Sequence, residues 1–193
     1  MQIEHFTVAG PLLLTPQVFG DARGHFFESW NQQRFAGALG VSVSESPSFV
    51  QDNQSRSSEM VLRGLHYQLP PHAQGKLVRC VVGEIFDVAV DIRRSSPTFG
   101  QWVGAHLSAD NHQQLWVPAG FAHGFLVLSD WAEVLYKTTA FWNRDAERSI
   151  HWQDPALGIA WPFPPGAPAP SVSEKDGVAP TLKEATERAD VFP

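Results

Sequence analysis

The chain is 193 residues long, 43% hydrophobic and formally −6 at pH 7. That length suits one domain with a sizeable core, and the acidic balance argues against a general nucleic-acid binder while leaving room for a locally basic pocket. No apolar run approaches the roughly 20 residues of a membrane helix, and the single cysteine, Cys80, excludes an internal disulfide and a thiolate metal cluster.

In chain order, Met1-Gln-Ile-Glu-His5 lacks the basic and apolar regions of a signal peptide, so a cytoplasmic protein is expected. Asn31 is a helix cap, Gln32–Leu39 the helix and Gly40 its stop. Short apolar or alternating runs then predict strands at Ser48–Gln51, Leu77–Val82, Ile85–Asp91, Trp102–Leu107, Gln114–Val117, Gly124–Leu128 and Glu133–Ala140. Gly83-Glu84 reads as a hairpin turn between two of them, and Ser95-Ser-Pro97 and Ser108-Ala-Asp-Asn111 as further turns. Many strands without intervening helices predict an all-β sandwich or barrel, with a jelly roll as one option. Cys80 lies in an apolar run and reads as a small buried hydrophobe. Trp161 to Pro170 is too rich in proline for a central strand and reads as an extended connector. Ala179–Ala185 follows as a short helix, in a tail that composition alone describes as a loose end.

Two segments carry chemistry. Leu62-Arg-Gly-Leu-His-Tyr-Gln68 is followed by Gln74-Gly-Lys76 and Gly83; Trp116-Val-Pro-Ala-Gly-Phe-Ala-His-Gly-Phe125 is the second. Together they resemble the two cupin signatures, which place three His and one Glu around a metal. Here His66 and His123 fall on two ligand positions, but Gln68 stands at a third and Lys76 near the fourth. An ammonium offers donors and no lone pair, so no metal is expected. A neutral imidazole can take a proton near pH 7, and a Lys or Tyr aimed at a carbonyl oxygen can stabilise an enolate. That set suits proton abstraction beside a ketone. Arg63 would face away from His66 on a regular strand, unless Gly64 breaks the regularity.

A longer series of motifs extends the likeness: Gly64-Leu-His-Tyr-Gln68, Lys76-Leu-Val-Arg79, Gly83-Glu-Ile-Phe-Asp-Val-Ala-Val-Asp-Ile-Arg93, Ser96-Pro-Thr-Phe-Gly100, Gly120-Phe-Ala-His-Gly-Phe125 and Leu135-Tyr-Lys137. In this order they resemble the dTDP-4-dehydrorhamnose 3,5-epimerase family, from about Phe19 to Asp176. The resemblance implies an all-β, cupin-like jelly roll with a few short helices. It implies one domain over residues 1–193, with 162–193 a C-terminal extension packing near the active site. It implies a homodimer that epimerises C3 and C5 of dTDP-4-dehydro-6-deoxy-D-glucose to dTDP-4-dehydro-L-rhamnose, with no cofactor, nucleic acid or membrane.

Residue by residue, His66 matches the family's general base, Asp176 the carboxylate that orients it, Tyr136 the acid on the opposite face and Lys76 the group that stabilises the enolate. Arg63 and His123 match sugar and phosphate contacts. Arg23, Glu28, Gln51 and Asn53 match nucleotide contacts, with Arg23 and Glu28 reaching a neighbouring subunit's site. Glu147 and Lys175 match the remaining binding positions, and Phe26 or Phe27 stacks near the base. By the free-histidine reference, the rate is expected to fall as pH drops through about 6 to 7. One departure stands out: the family's Tyr-Tyr-Asn run is Phe141-Trp142-Asn143 here. Trp142 keeps an aromatic face and a donor but has no hydroxyl. It leaves open a mono-epimerase acting at C3 or C5 only. Three rival activities stay open beside it: a 3,4-ketoisomerase, a metal-dependent cupin oxygenase and a non-catalytic sugar-nucleotide-binding cupin.

Overall fold

In the computed structural model, which describes residues 1–193, thirteen strands and three short helices follow one another. They are β1 (Gln2–His5), β2 (Leu12–Thr15), β3 (Phe19–Asp21), β4 (Gly24–Phe26), α1 (Gln32–Leu39), β5 (Gln51–Ser58), β6 (Leu62–Gln68), β7 (Lys76–Val82) and β8 (Glu84–Asp91). Then come β9 (Trp102–Ser108), β10 (Gln114–Val117), β11 (Phe121–Val127), β12 (Trp131–Thr138), β13 (Glu147–Ser149), α2 (Glu174–Gly177) and α3 (Leu182–Glu187). Two antiparallel sheets face each other, ordered β1-β2-β10-β7-β12-β5 and β13-β6-β11-β8-β9, and β3-β4 forms a separate hairpin. This is the all-β, cupin-like jelly-roll sandwich that the motifs imply.

Strand alternation sorts side chains into layers. Val78, Cys80, Ile85, Ala89, Leu115, Phe125 and Val134 point between the sheets and form the central core. Val88, Val90, Leu62 and Leu126 point outward from the five-stranded sheet. There they would meet water, but Trp152, Trp161, Leu182, Ala185 and Val191 cover them. The tail is therefore a packed layer rather than a loose end. Its α3 starts at Leu182, later than the sequence places it, because Thr181 and Glu184 form a reciprocal capping box. Covering a Leu or Val fully contributes about 1.5–3 kcal/mol per side chain.

On the other sheet, α1 presses Phe35 and Ala38 onto Leu12, Leu14, Leu77 and Trp116. Its boundaries are those the caps predict: Asn31 accepts from the Arg34 amide, and Gly40 closes the helix at φ +70°.

The hairpin expected at Gly83-Glu84 is not there. β7 pairs with β10 and β12, while β8 pairs with β11 and β9 in the opposite sheet. The turn carries the chain across the sandwich, at a Gly83 whose φ is +75° and whose added Cβ would lie 2.2 Å from the Trp131 carbonyl oxygen. Alternation reveals a strand but not its partner. Likewise, the strand expected over Ser48–Gln51 begins only at Gln51 and continues through the polar run to Ser58. The strands expected from Gly124 and Glu133 begin earlier, at Phe121 and Trp131.

Candidate active site

The inward face of the sandwich changes character along its length. At one end it is apolar; at the other, Gln51, Asn53, His66, Gln68, Gln74, Lys76, Tyr136, Trp142 and Glu147 line an open cavity of about 330 Å³. That volume is at the lower end of the range for small-molecule sites.

Strand β6 supplies the central residue through an irregularity. Gly64 has φ +125°, a region that glycine tolerates and other residues rarely adopt. The pairing of β6 with β11 slips between His123 and Phe125 at the same level. A Cβ on Gly64 would lie 2.6 Å from the Gly124 Cα, so two glycines let the backbones touch. The slip turns Arg63 and His66 to the same side, correcting the opposite-face expectation for a regular strand. Arg63 Nε donates to Ser57 Oγ on β5 across the sandwich at 2.9 Å, and His66 lines the cavity.

The tail returns to this point. His66 Nε2 bonds Asp176 Oδ1 at 2.6 Å, and the Gly64 amide donates to Asp176 Oδ2 at 3.3 Å. Asp176 is buried in α2, whose cap Ser173 accepts the Asp176 amide. Burial pushes its carboxyl upward, but the His66 bond, the Gly64 amide and the Ser173 side chain outweigh it and hold Asp176 below the usual carboxylate range. With the Nε2 proton given to Asp176, a neutral His66 keeps its lone pair on the other ring nitrogen.

Lys76, on β7, is buried and donates to the His66 carbonyl at 3.1 Å. Burial pulls its ammonium down to about 8, opposed by the charges of Asp87 and Glu147. Tyr136, opposite Asn53 in the β12–β5 register, is pushed upward mainly by burial, so its hydroxyl stays a proton donor at neutral pH. His123 is buried, bonds Asp87 at 2.7 Å and is pulled below the ordinary histidine range by burial. Its neutral ring thus leaves an acceptor nitrogen free, which suits a sugar hydroxyl better than a phosphate oxygen.

A family model described as dTDP-4-dehydrorhamnose 3,5-epimerase matches residues 5–184. The dTDP-4-dehydrorhamnose 3,5-epimerase of Salmonella typhimurium is 59% identical over 174 residues, covering 90% of this chain and 91% of that one. The chain belongs to this family. A crystal structure of the dTDP-6-deoxy-D-glucose-3,5-epimerase of Legionella pneumophila, in complex with dTDP-4-keto-L-rhamnose, superposes with a TM-score of 0.87 at 47% identity, covering 94% of this chain and 93% of that one. A 3'-monoepimerase from Streptomyces bikiniensis in complex with dTDP-quinovose gives 0.88 at only 33% identity, covering 97% and 91%.

For an epimerase of this family, the other matched residues divide in two. Gln51, Asn53, Glu147 and Trp142 share the His66 cavity: Gln51 Nε2 donates to Asn53 at 2.8 Å and Trp142 Nε1 to Glu147 at 3.3 Å. Lys175, next to Asp176, forms an ion pair with Glu147. Burial raises the Glu147 carboxyl, but the Lys175 and Trp142 bonds outweigh it and leave the group lowered.

Arg23 and Glu28 are not brought to that cavity. Arg23 sits at the tip of the β3-β4 hairpin, 90% exposed, on Asp21; Glu28 pairs with Arg34 at 2.9 Å. Phe27 stacks on His112 with centroids 4.8 Å apart, while Phe26 points to solvent, 69% exposed.

Neither Asp87 nor Gln68 has a role that the sequence alone reveals. Gln68 donates to the His72 and Phe141 carbonyls and accepts from the Asn143 amide, which fixes the loop carrying Trp142. A signal for Asp87 existed: a carboxylate inside the apolar run Ile85–Ile92 must be buried.

Proposed function

We propose that this isomerase inverts C3 and C5 of dTDP-4-dehydro-6-deoxy-D-glucose, yielding dTDP-4-dehydro-L-rhamnose, by deprotonation and reprotonation through an enolate. His66, oriented by Asp176, takes the C–H proton beside the ketone. The C–H electron pair moves onto the carbonyl oxygen, where a Lys76 N–H meets the developing charge. Tyr136 gives its hydroxyl proton to the carbon from the opposite face and recovers one from solvent, while His66 releases the proton it took to solvent. Two such rounds, one on each side of the ketone, invert both centres, and no step needs an electron carrier. The single observation that carries the reading is His66, bonded from behind by the buried Asp176 and lining one cavity with Lys76 and Tyr136. Arg63, His123, Gln51, Asn53, Glu147 and Lys175 hold the sugar and diphosphate, with Arg as the planar partner for phosphate oxygens. Arg23 and Glu28 serve the cavity of a second copy in a cytoplasmic homodimer.

Trp142 favours one second reading. It stands at the cavity mouth in place of a tyrosine, and a 3'-monoepimerase is among the structural relatives. Incubation with dTDP-4-keto-6-deoxyglucose in D2O, followed by NMR, separates the two. Deuterium at both carbons with the rhamno product is expected. Exchange at one carbon would establish the mono-epimerase, and exchange at neither would sink the enolate mechanism.

A further inference from the structure

The inward face of the five-stranded sheet holds a charge that the reaction above does not use. Asp87, in the middle of β8, is fully buried. One of its oxygens accepts from His123, and the other, Oδ2, has no hydrogen-bond partner. Buried carboxylate oxygens are ordinarily bonded, because leaving one unmet costs the full desolvation of that group. Opposite lies Lys76, whose ammonium has three donors and uses one, on the His66 carbonyl. A lone ammonium in such a place would shed its proton, and a neutral amine is a poor partner for an enolate oxygen. A carboxylate with one satisfied and one unmet oxygen keeps negative charge near the ammonium without tying up its remaining donors. Those donors stay available to a ligand.

We infer that Asp87 is a positioning residue of this site: together with His123 it forms a buried anionic pair that keeps Lys76 charged and free to meet the substrate oxygen. The inference rests on the proposed epimerase reading and deepens it. The groups that face Lys76 are Asp87 on β8, His123 on β11, His66 on β6 with Asp176 behind it, Tyr136 on β12 and Glu147 on β13. Among them, Asp87 and Glu147 are the carboxylates that favour the charged amine. Glu147 already answers to Lys175 and Trp142, whereas Asp87 Oδ2 answers to nothing.

The test is Asp87→Asn, which keeps the shape and removes the charge, beside Glu147→Gln. Two pH titrations are read for each: C3/C5 deuterium exchange, and the Lys76 amine itself by 15N NMR, assigned through Lys76→Arg. In the unaltered protein the alkaline limb is expected at about 8. In Asp87→Asn both the limb and the amine titration should move down by about one pH unit. A general packing defect would lower activity equally at every pH and leave the limb in place; that result overturns the inference. Should Asp87→Asn fail to fold, Glu147→Gln decides. A limb within a few tenths of its original position upholds Asp87 as the dominant counter-charge, and a drop of a full unit assigns that role to Glu147. The amine titration needs no turnover. If the unaltered protein shows no exchange, the epimerase reading fails, while the Asp87–Lys76 coupling still stands or falls on the NMR.

Discussion

Lys76 is the residue at which function and stability pull in opposite directions. An unfolded lysine keeps its proton to about 10.5, whereas the buried one loses it at about 8. Between those values the unfolded lysine holds its proton and the folded one does not, so the contribution of this group to stability rises with pH, by about 3 kcal/mol in all. Below about 8 the cost of burying the charge is present in full. In the proposed mechanism turnover needs the ammonium and should fall as pH rises through the same point. Urea unfolding between pH 7.5 and 9, below the range in which Cys80, its thiol pushed up to about 11 by burial, draws stability the other way, should therefore show stability growing while activity declines, and Lys76→Met should be inactive and lack that rise. Stability falling in parallel with activity would contradict the assignment.

At the scale of elements, the weakest piece holds one of the most important side chains. α2 is four residues long, too short to persist by itself, and its cap Ser173 accepts the amide of Asp176. Ser173→Ala should cost about 1 kcal/mol and lower kcat about tenfold, as the carboxylate behind His66 loses its anchor. Ser173→Asp should restore both, and kcat with Tm are the readouts. Unchanged kcat in Ser173→Ala would show that the His66 and Gly64 contacts suffice to hold Asp176.

The sequence made α1 and most central strands legible, because their caps and apolar runs follow local rules. It hid β5, whose inward residues Gln51 and Asn53 are polar because they line the cavity rather than the core. It hid the β6 irregularity as well, since Gly64 announces freedom but not direction. The motifs singled out His66, Lys76 and Tyr136. The burial of Asp87 is legible in its apolar run, but its bond to His123 and the fixing of the Trp142 loop by Gln68 depend on contacts between distant strands, which no local pattern encodes.

For the whole molecule, the β3-β4 hairpin is the part that the single chain does not explain. Phe19 and Phe26 are cross-strand partners, 57% and 69% exposed, with Arg23 at the tip beyond them. Apolar pairs presented this way mark a binding surface. In the proposed dimer, Arg23 of one copy works with His66 of the other. Arg23→Ala should then raise KM roughly tenfold or more with less effect on kcat, as loss of a charged phosphate contact does. Mixing Arg23→Ala with His66→Asn chains should regenerate one intact site in each heterodimer and recover a low-KM activity that neither homodimer shows. Absence of recovery in mixtures proven to exchange subunits would place Arg23 in its own chain's site.

The tail that covers the five-stranded sheet also has a place in time. A ribosome releases every strand of the sandwich, with His66, Lys76 and Tyr136 among them, before it releases Asp176 and the apolar side chains of Leu182, Ala185 and Val191. Until then the nascent sandwich shows an uncovered greasy flank to the cell and a histidine without its orienting carboxylate. One event, the docking of the last segment, ends both conditions. By the proposed mechanism an interrupted chain would be inactive and would at the same time offer exposed apolar surface to chaperones and proteases, so the acquisition of catalysis would coincide with the loss of a degradation signal.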